Sequence, residues 1–104
     1  MPERRAFPRW RVSLDCEAQG AAGICPGIIK TICEEGLSFS GHRSWEIGEQ
    51  ISLRWRFEPN GTPFFVQGIV RNSTPDHTGV EFLNLAMHDR LHIMHLLTSR
   101  NVLS

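Results

Sequence analysis

Apolar and polar side chains alternate strictly near the start of the chain, and this alternation is the strongest constraint on its fold. The apolar members of the pattern are Trp10, Val12, Leu14, Cys16 and Ala18, and every residue between them is polar or charged. A period of two places successive side chains on opposite faces, as in a β-strand with one buried face. The sequence therefore predicts a first strand over residues 10–18 that contributes one face to a core.

Five further short strands are predicted, each followed by a turn or loop signal. They cover residues 24–32, 37–39, 51–57, 64–71 and 79–82. Pro26 indicates that the second strand begins irregularly or at an edge, and Pro59-Asn60-Gly61 predicts a hairpin between the fourth and fifth strands. The nearly continuous apolar character of the fifth strand predicts burial on both faces or a curled sheet. Six short strands within about eighty residues predict a closed or nearly closed antiparallel barrel.

The pattern changes to a helical one over residues 84–101. Asn84 is a suitable N-cap, and Met87, Leu91 and Met94 lie three or four residues apart, with Leu97 alongside. We expect this apolar stripe to pack on the core and the helix to cover one mouth of the barrel. The predicted fold class is thus all-β with a C-terminal helix. We predict that the chain forms a single domain over residues 1–104, with an arginine-rich arm (1–9), a six-stranded barrel (10–83) and the helix (84–101).

Composition restricts the function classes. The chain is 40% hydrophobic and 21% charged, as expected for a folded soluble domain, and no run reaches the roughly 20 apolar residues of a membrane span. The start of the chain is not that of a secretory signal, so we expect a cytoplasmic protein without membrane insertion. A formal net charge of zero gives no indication of a nucleic-acid partner.

Motifs for catalysis and for metal binding are missing from the sequence. The three cysteines form no C-x-x-C pair, and we interpret them as reduced thiols. His88, His92 and His95 share one helix face, but no further ligand is identifiable, so we interpret them as a polar flank and predict no metal. No nucleophile elbow, P-loop or metalloprotease motif is present, and we predict no catalytic residue and a non-enzymatic protein.

Arginines are concentrated at the start of the chain. Arg4, Arg5, Arg9 and Arg11 all fall in the first eleven positions. A guanidinium group can donate two parallel hydrogen bonds to a phosphate and can stack on a purine. The cluster of arginines therefore favours an anionic ligand such as a nucleotide. The alternative is a solvated basic terminus.

These arginines also carry a family resemblance. Arg5-Ala6-Phe7-Pro8-Arg9, preceded by Arg4, resembles the R-x-x-x-R signature that stands before the first strand of PilZ domains. Residues 46–49, 68–71 and 79–83 are similar to later landmarks of that family. Its second signature, [D/N]-x-[S/A]-x-x-G, corresponds here to Thr31-Ile32-Cys33-Glu34-Glu35-Gly36, in which only the glycine is retained.

The resemblance implies a barrel that binds cyclic di-GMP between the arginine-rich arm and the barrel face, with no other cofactor. The ligand-binding residues that it implies are Arg4, Arg5, Arg9, Thr31, Cys33 and Gly36. Two hydrogen bonds missing from the second signature, at about 1 kcal/mol each, would weaken binding by one to two orders of magnitude. Two functions follow as hypotheses: a cyclic di-GMP receptor in bacterial second-messenger signalling, or an adaptor that does not bind the nucleotide and acts through an unidentified protein partner.

Overall fold

Alternating inward and outward side chains build six strands, and a helix follows them. The structure, a computed structural model, describes residues 9–41 and 43–103, and it describes side chains only as far as Ser99. The elements are β1 (Trp10–Gly20), β2 (Gly23–Ile32), β3 (Gly36–Gly41), β4 (Gln50–Trp55), β5 (Phe64–Thr74), β6 (His77–Leu83) and α1 (Met87–Leu103).

The strands form a closed antiparallel barrel in the order β1-β2-β3-β6-β5-β4, as the sequence predicts. Strands β1 to β3 form one meander and strands β4 to β6 form another. The two meanders meet along β3–β6 and, on the opposite side of the barrel, along β1–β4. The inward positions of all six strands supply one continuous apolar core.

Several strand limits differ from the prediction. Strand β4 ends at Trp55, whereas β5 runs on to Thr74, so that only two residues connect it to β6. Of the two alternatives for β5, burial on both faces was wrong, because its side chains alternate between buried and exposed and Phe65 is 68% exposed, whereas the curled sheet is confirmed by the closed barrel. The guanidinium group of Arg54 lies over the Phe65 ring at 5.5 Å, which partly covers this outward aromatic side chain. Of the two alternatives for the start of β2, the edge position is confirmed: among the described residues, 23–26 pair with β1 alone, and they do so in regular register.

The helix covers one mouth of the barrel, as predicted. Strands β1, β3 and β5 begin at this end and β2, β4 and β6 finish here. Two side chains of the helix contact residues at this end: the His92 ring lies 5.2 Å from that of Phe64, and Arg90 donates to the carbonyl oxygen of Glu34 at 3.4 Å. No helix in the described part of the chain is long and apolar enough to cross a membrane.

The helix buries only part of the predicted stripe of Met87, Leu91, Met94 and Leu97: Leu97 lies in the core and Met94 packs against it. Met87 and Leu91 are exposed, whereas Ile93 and Leu97 are each 1% exposed and belong to the core. The exposed pair Met87 and Leu91 and the buried pair Ile93 and Leu97 lie six residues apart, about 120° around the helix at 100° per residue, and periodicity alone cannot say which pair faces the barrel. Asn84 is not the N-cap: it adopts a left-handed conformation (φ 50°) after β6, and the first helical bond runs from the Arg90 N–H to the Ala86 carbonyl.

An aromatic plug closes the opposite mouth. Trp45, in the loop between β3 and β4, is 4% exposed and packs edge-on against Phe39 with ring centroids 6.3 Å apart. Its backbone N–H donates to the Ser73 hydroxyl oxygen at 2.7 Å, and the Arg43 guanidinium stacks 3.7 Å above the indole. Since both mouths are closed, a ligand the size of a nucleotide would have to bind on the outer surface.

Candidate functional site

An open cleft of about 390 Å³ lies on the outer face of the barrel, across the junction of β3 and β6. The end of β2 and the β2–β3 turn form one wall, and β5 and β6 form the other. Its lining residues include Arg9, Thr31, Cys33, Glu35, Gly36, Ser38, Arg71, Asn72, His77, Gly79 and Glu81. The volume falls within the range typical of small-molecule sites.

The cleft brings together the ligand residues from the sequence analysis that the structure describes. Arg9 precedes β1, is exposed, and forms no ion pair with any described residue. Thr31, Cys33 and Gly36 line the same cleft. Arg4 and Arg5 lie outside the described residues, so the signature is described only at its second arginine.

The polar groups of the second signature are largely used within the fold. The hydroxyl groups of Thr31 and Ser38, which face each other across β2 and β3, are hydrogen-bonded at 2.6 Å. Cys33 is only 8% exposed, and its N–H donates to the Gly36 carbonyl at 2.8 Å, which closes the turn. Of these two side chains, Thr31 therefore offers the more accessible polar atom.

Gly36, the one retained residue of that signature, has a role in packing. It is buried, and a Cβ atom built on it would meet the carbonyl oxygen of Val80 and lie 3.1 Å from the carbonyl carbon of Val80 and 3.2 Å from the Cα of Glu81. The side-chain-free residue allows β3 to approach β6 at the floor of the cleft. Barrel closure is thus a sufficient reason for glycine at this position.

Charges of both signs line the cleft. Arg71 donates through Nε to Glu81 Oε1 at 2.7 Å, and both side chains are about half exposed. Glu35 is exposed on the opposite wall, whereas Glu34 does not line the cleft. Because Arg71 is paired with Glu81, Arg9 is the unpaired cation among the described lining residues.

Sequence reasoning missed the β5–β6 wall as part of the site. Arg71, Asn72, His77 and Glu81 all line the cleft. Two of them fall in segments that the family resemblance marks as landmarks, and this was the available signal. The remaining expectation concerns metal: the described residues contain no group of three histidine, cysteine, aspartate or glutamate side chains that could hold a metal ion.

The family model of the PilZ domain matches residues 3–99. The chain belongs to the PilZ domain family. No curated protein sequence matches it significantly. PilZ domains are ligand-binding receptor or adaptor domains and are generally non-enzymatic.

Solved PilZ structures share the fold of this PilZ domain. The PilZ domain of YcgR from Escherichia coli, solved with c-di-GMP, superposes with a TM-score of 0.80 at 11% identity, over 93% of this chain and 91% of that one. The inhibitor of motility from Bacillus subtilis (MotI/DgrA) gives 0.79 at 17% identity, over 97% of this chain and 52% of that one. The MrkH–c-di-GMP complex of K. pneumonia gives 0.77 at 15% identity, over 98% and 53%. The chain thus spans about half the length of the latter two proteins, and at these identities the likeness establishes the fold.

Proposed function

We propose that this PilZ domain is a non-enzymatic receptor that binds cyclic di-GMP in the cleft across β3 and β6. The observation that carries the proposal is the convergence of Arg9, Thr31 and Cys33, from the positions of both family signatures, on one open cleft. YcgR and MrkH, which share the fold, are both known in complex with c-di-GMP. Arg4 and Arg5 would extend the cationic side of the site from the arm.

Arginine supplies most of the binding energy in this proposal. A cyclic dinucleotide carries two phosphate charges, and Arg9 is exposed at the cleft and forms no ion pair with a described carboxylate. A charge-assisted hydrogen bond to phosphate contributes about 1.5–3 kcal/mol. Two such contacts, from Arg5 and Arg9, would contribute about 3–6 kcal/mol of the roughly 8 kcal/mol that micromolar affinity requires.

A second candidate function is that of an adaptor that does not bind the nucleotide. Two observations favour it: the hydroxyl groups of Thr31 and Ser38 are bonded to each other, and Gly36 is explained by packing. Met87 and Leu91 also leave an apolar helix face exposed. In this case an unidentified protein partner, rather than cyclic di-GMP, would carry the signal.

Isothermal titration with cyclic di-GMP separates the two functions. The receptor hypothesis expects binding by the wild type and a loss of roughly tenfold to a hundredfold in Arg5→Ala and in Arg9→Ala, because each removes a charge-assisted contact. Arg54→Ala is the matched control. Arg54 lies on β4 beside the β1–β4 junction, on the opposite side of the barrel, where it pairs with Glu17 at 3.5 Å.

The control should retain wild-type affinity, and higher salt should weaken binding in the wild type because exposed charges contribute to it. Absence of binding at millimolar ligand would contradict the receptor hypothesis and favour the adaptor. Equal losses in Arg9→Ala and Arg54→Ala would mean that the nucleotide is attracted by overall charge and not by this cleft. Linear dinucleotide formed at a rate that depends on protein concentration would contradict the non-enzymatic part of the proposal.

A further inference from the structure

The guanidinium group of Arg71 is held in a fixed direction at the cleft. Its Nε donates to Glu81 Oε1 across the β5–β6 pair, which leaves the two terminal amino groups of the fork without a partner among the described residues. The pair carries no net charge. Such a pair is a weak anchor for phosphate, because the carboxylate repels the ligand oxygens that the guanidinium attracts.

A β-bulge places a second polar side chain beside this fork. The register of β5 and β6 shifts between Val70 and Asn72, so Arg71 is an extra residue in β5 and, like Asn72, is exposed and lines the cleft. Asn72 faces Gly79, and a Cβ on that glycine would lie 2.7 Å from the Asn72 side-chain nitrogen. The amide thus occupies the space that glycine leaves open, and it forms no hydrogen bond with any residue that the structure describes. Bulges commonly redirect side chains next to binding sites.

The two side chains together fit the edge of a guanine base. A guanidinium fork donates two parallel hydrogen bonds to the O6 and N7 acceptors of guanine, whereas adenine presents an amino donor in place of O6. An amide supplies both a donor and an acceptor for a neighbouring position on the base or sugar. Both side chains lie across the cleft from Thr31 and Cys33, where the second signature lacks its usual hydrogen-bonding groups.

We propose that Arg71, positioned by Glu81 and assisted by Asn72, recognises a guanine base of the bound cyclic dinucleotide. This wall supplies hydrogen bonds that the second signature of this chain lacks. The inference depends on the proposed receptor function and extends it by assigning the selectivity for guanine over adenine to β5 and β6. Arg9 and the arm then attract the phosphates, and the neutral Arg71–Glu81 pair selects the base.

Affinities for cyclic di-GMP and cyclic di-AMP, measured on the same variants, test this assignment. Arg71→Ala should lose about tenfold to a hundredfold in affinity for cyclic di-GMP and much less for cyclic di-AMP, so that the preference for cyclic di-GMP over cyclic di-AMP is lost. In the double variant Arg71→Ala, Glu81→Ala, which removes the neutral pair and leaves no unpaired carboxylate, the dependence of affinity on salt should match that of the wild type, since no phosphate contact is removed. Arg54→Ala, which removes the arginine of the Glu17 pair across the barrel, should change neither affinity.

Glu81 variants test the positioning role. Glu81→Ala should reduce selectivity because the Arg71 fork loses its anchor, whereas Glu81→Gln should retain most of it, since the amide oxygen can accept the same hydrogen bond. The pair is exposed, so all of these variants should remain folded, which circular dichroism and melting curves will establish.

The outcomes distinguish this inference from the proposed function. Binding of cyclic di-GMP by the wild type, with the same selectivity in Arg71→Ala, would overturn the assignment of the base-reading wall and leave the receptor function intact. A loss in the double variant Arg71→Ala, Glu81→Ala that is equal for both dinucleotides, with a weaker salt dependence, would show a phosphate contact and would also overturn it. If the wild type binds neither dinucleotide, the receptor function fails and this inference fails with it.

Discussion

Replacing Gly36 by alanine tests whether the retained glycine of the second signature serves the fold. In the wild type β3 lies so close to β6 here that a Cβ atom would overlap the Val80 carbonyl oxygen. Gly36 is paired with Glu81 in the β3–β6 ladder, so neither strand can retreat without disturbing its hydrogen bonds. Overpacking in a well-packed region costs about 1–3 kcal/mol, and contact with a backbone atom should place this variant at the upper end, about 3 kcal/mol.

Denaturant-induced unfolding, followed by tryptophan fluorescence, measures this loss directly. A decrease of about 3 kcal/mol in the free energy of unfolding should lower the melting temperature by roughly 12–24 °C in a domain of this size. Gly48→Ala is the matched control: Gly48 has a φ of 91° and nothing within 4 Å of its Cβ position, so its replacement introduces backbone strain alone, about 1–2 kcal/mol. A loss in Gly36→Ala no larger than that in Gly48→Ala would refute the packing explanation.

Three further predictions concern the core, a buried thiol and the second signature. Leu97→Ala should lower the free energy of unfolding by about 2–5 kcal/mol, whereas Leu91→Ala on the exposed face should change it by no more than about 0.5 kcal/mol; equal losses in the two denaturation curves would contradict the observed helix orientation. Burial, with a smaller contribution from two acidic neighbours, raises the pKa of Cys16 from 9.0 to about 12. A raised pKa favours the neutral thiol in the folded state, so the wild type should lose stability relative to Cys16→Ala as pH rises from 9.0 towards 12, and parallel pH profiles would contradict this. The double variant Thr31→Asp, Cys33→Ser should bind cyclic di-GMP about tenfold to a hundredfold more tightly by isothermal titration, and unchanged affinity would contradict the assigned register.

The strands could be predicted from the sequence because each carries its own local signal. Period-two alternation and turn residues identified all six strands, and barrel closure followed from their number and length. The orientation of the helix could not be obtained in this way. Deciding whether Leu91 or Ile93 faces the core requires the position of the helix on the barrel, which depends on residues distant in sequence such as Phe64 and Glu34.

The residues of the candidate site likewise divide into those that the sequence predicts and those that it does not. Arg9 and Thr31 were predicted because they fall at signature positions next to β1 and in β2. Arg71 holds no signature position, although the alternation of Val66, Gly68 and Val70 directs it outward; the same alternation would direct Asn72 into the core. A single extra residue in β5 keeps Asn72 on the outer face beside Arg71, and the bulge is a property of the closed sheet that the local sequence pattern does not reveal.

Because the cleft lies across β3 and β6, it forms only once these two strands have paired during folding. Each meander pairs neighbouring strands through short connections, whereas the β3–β6 ladder joins segments far apart in the sequence, and loop-closure entropy makes such contacts slow to form. Residues from both meanders line the cleft, so neither half of the barrel contains it alone. A molecule held there would act as a clamp across this junction, because any fluctuation that parts β3 from β6 must first release it.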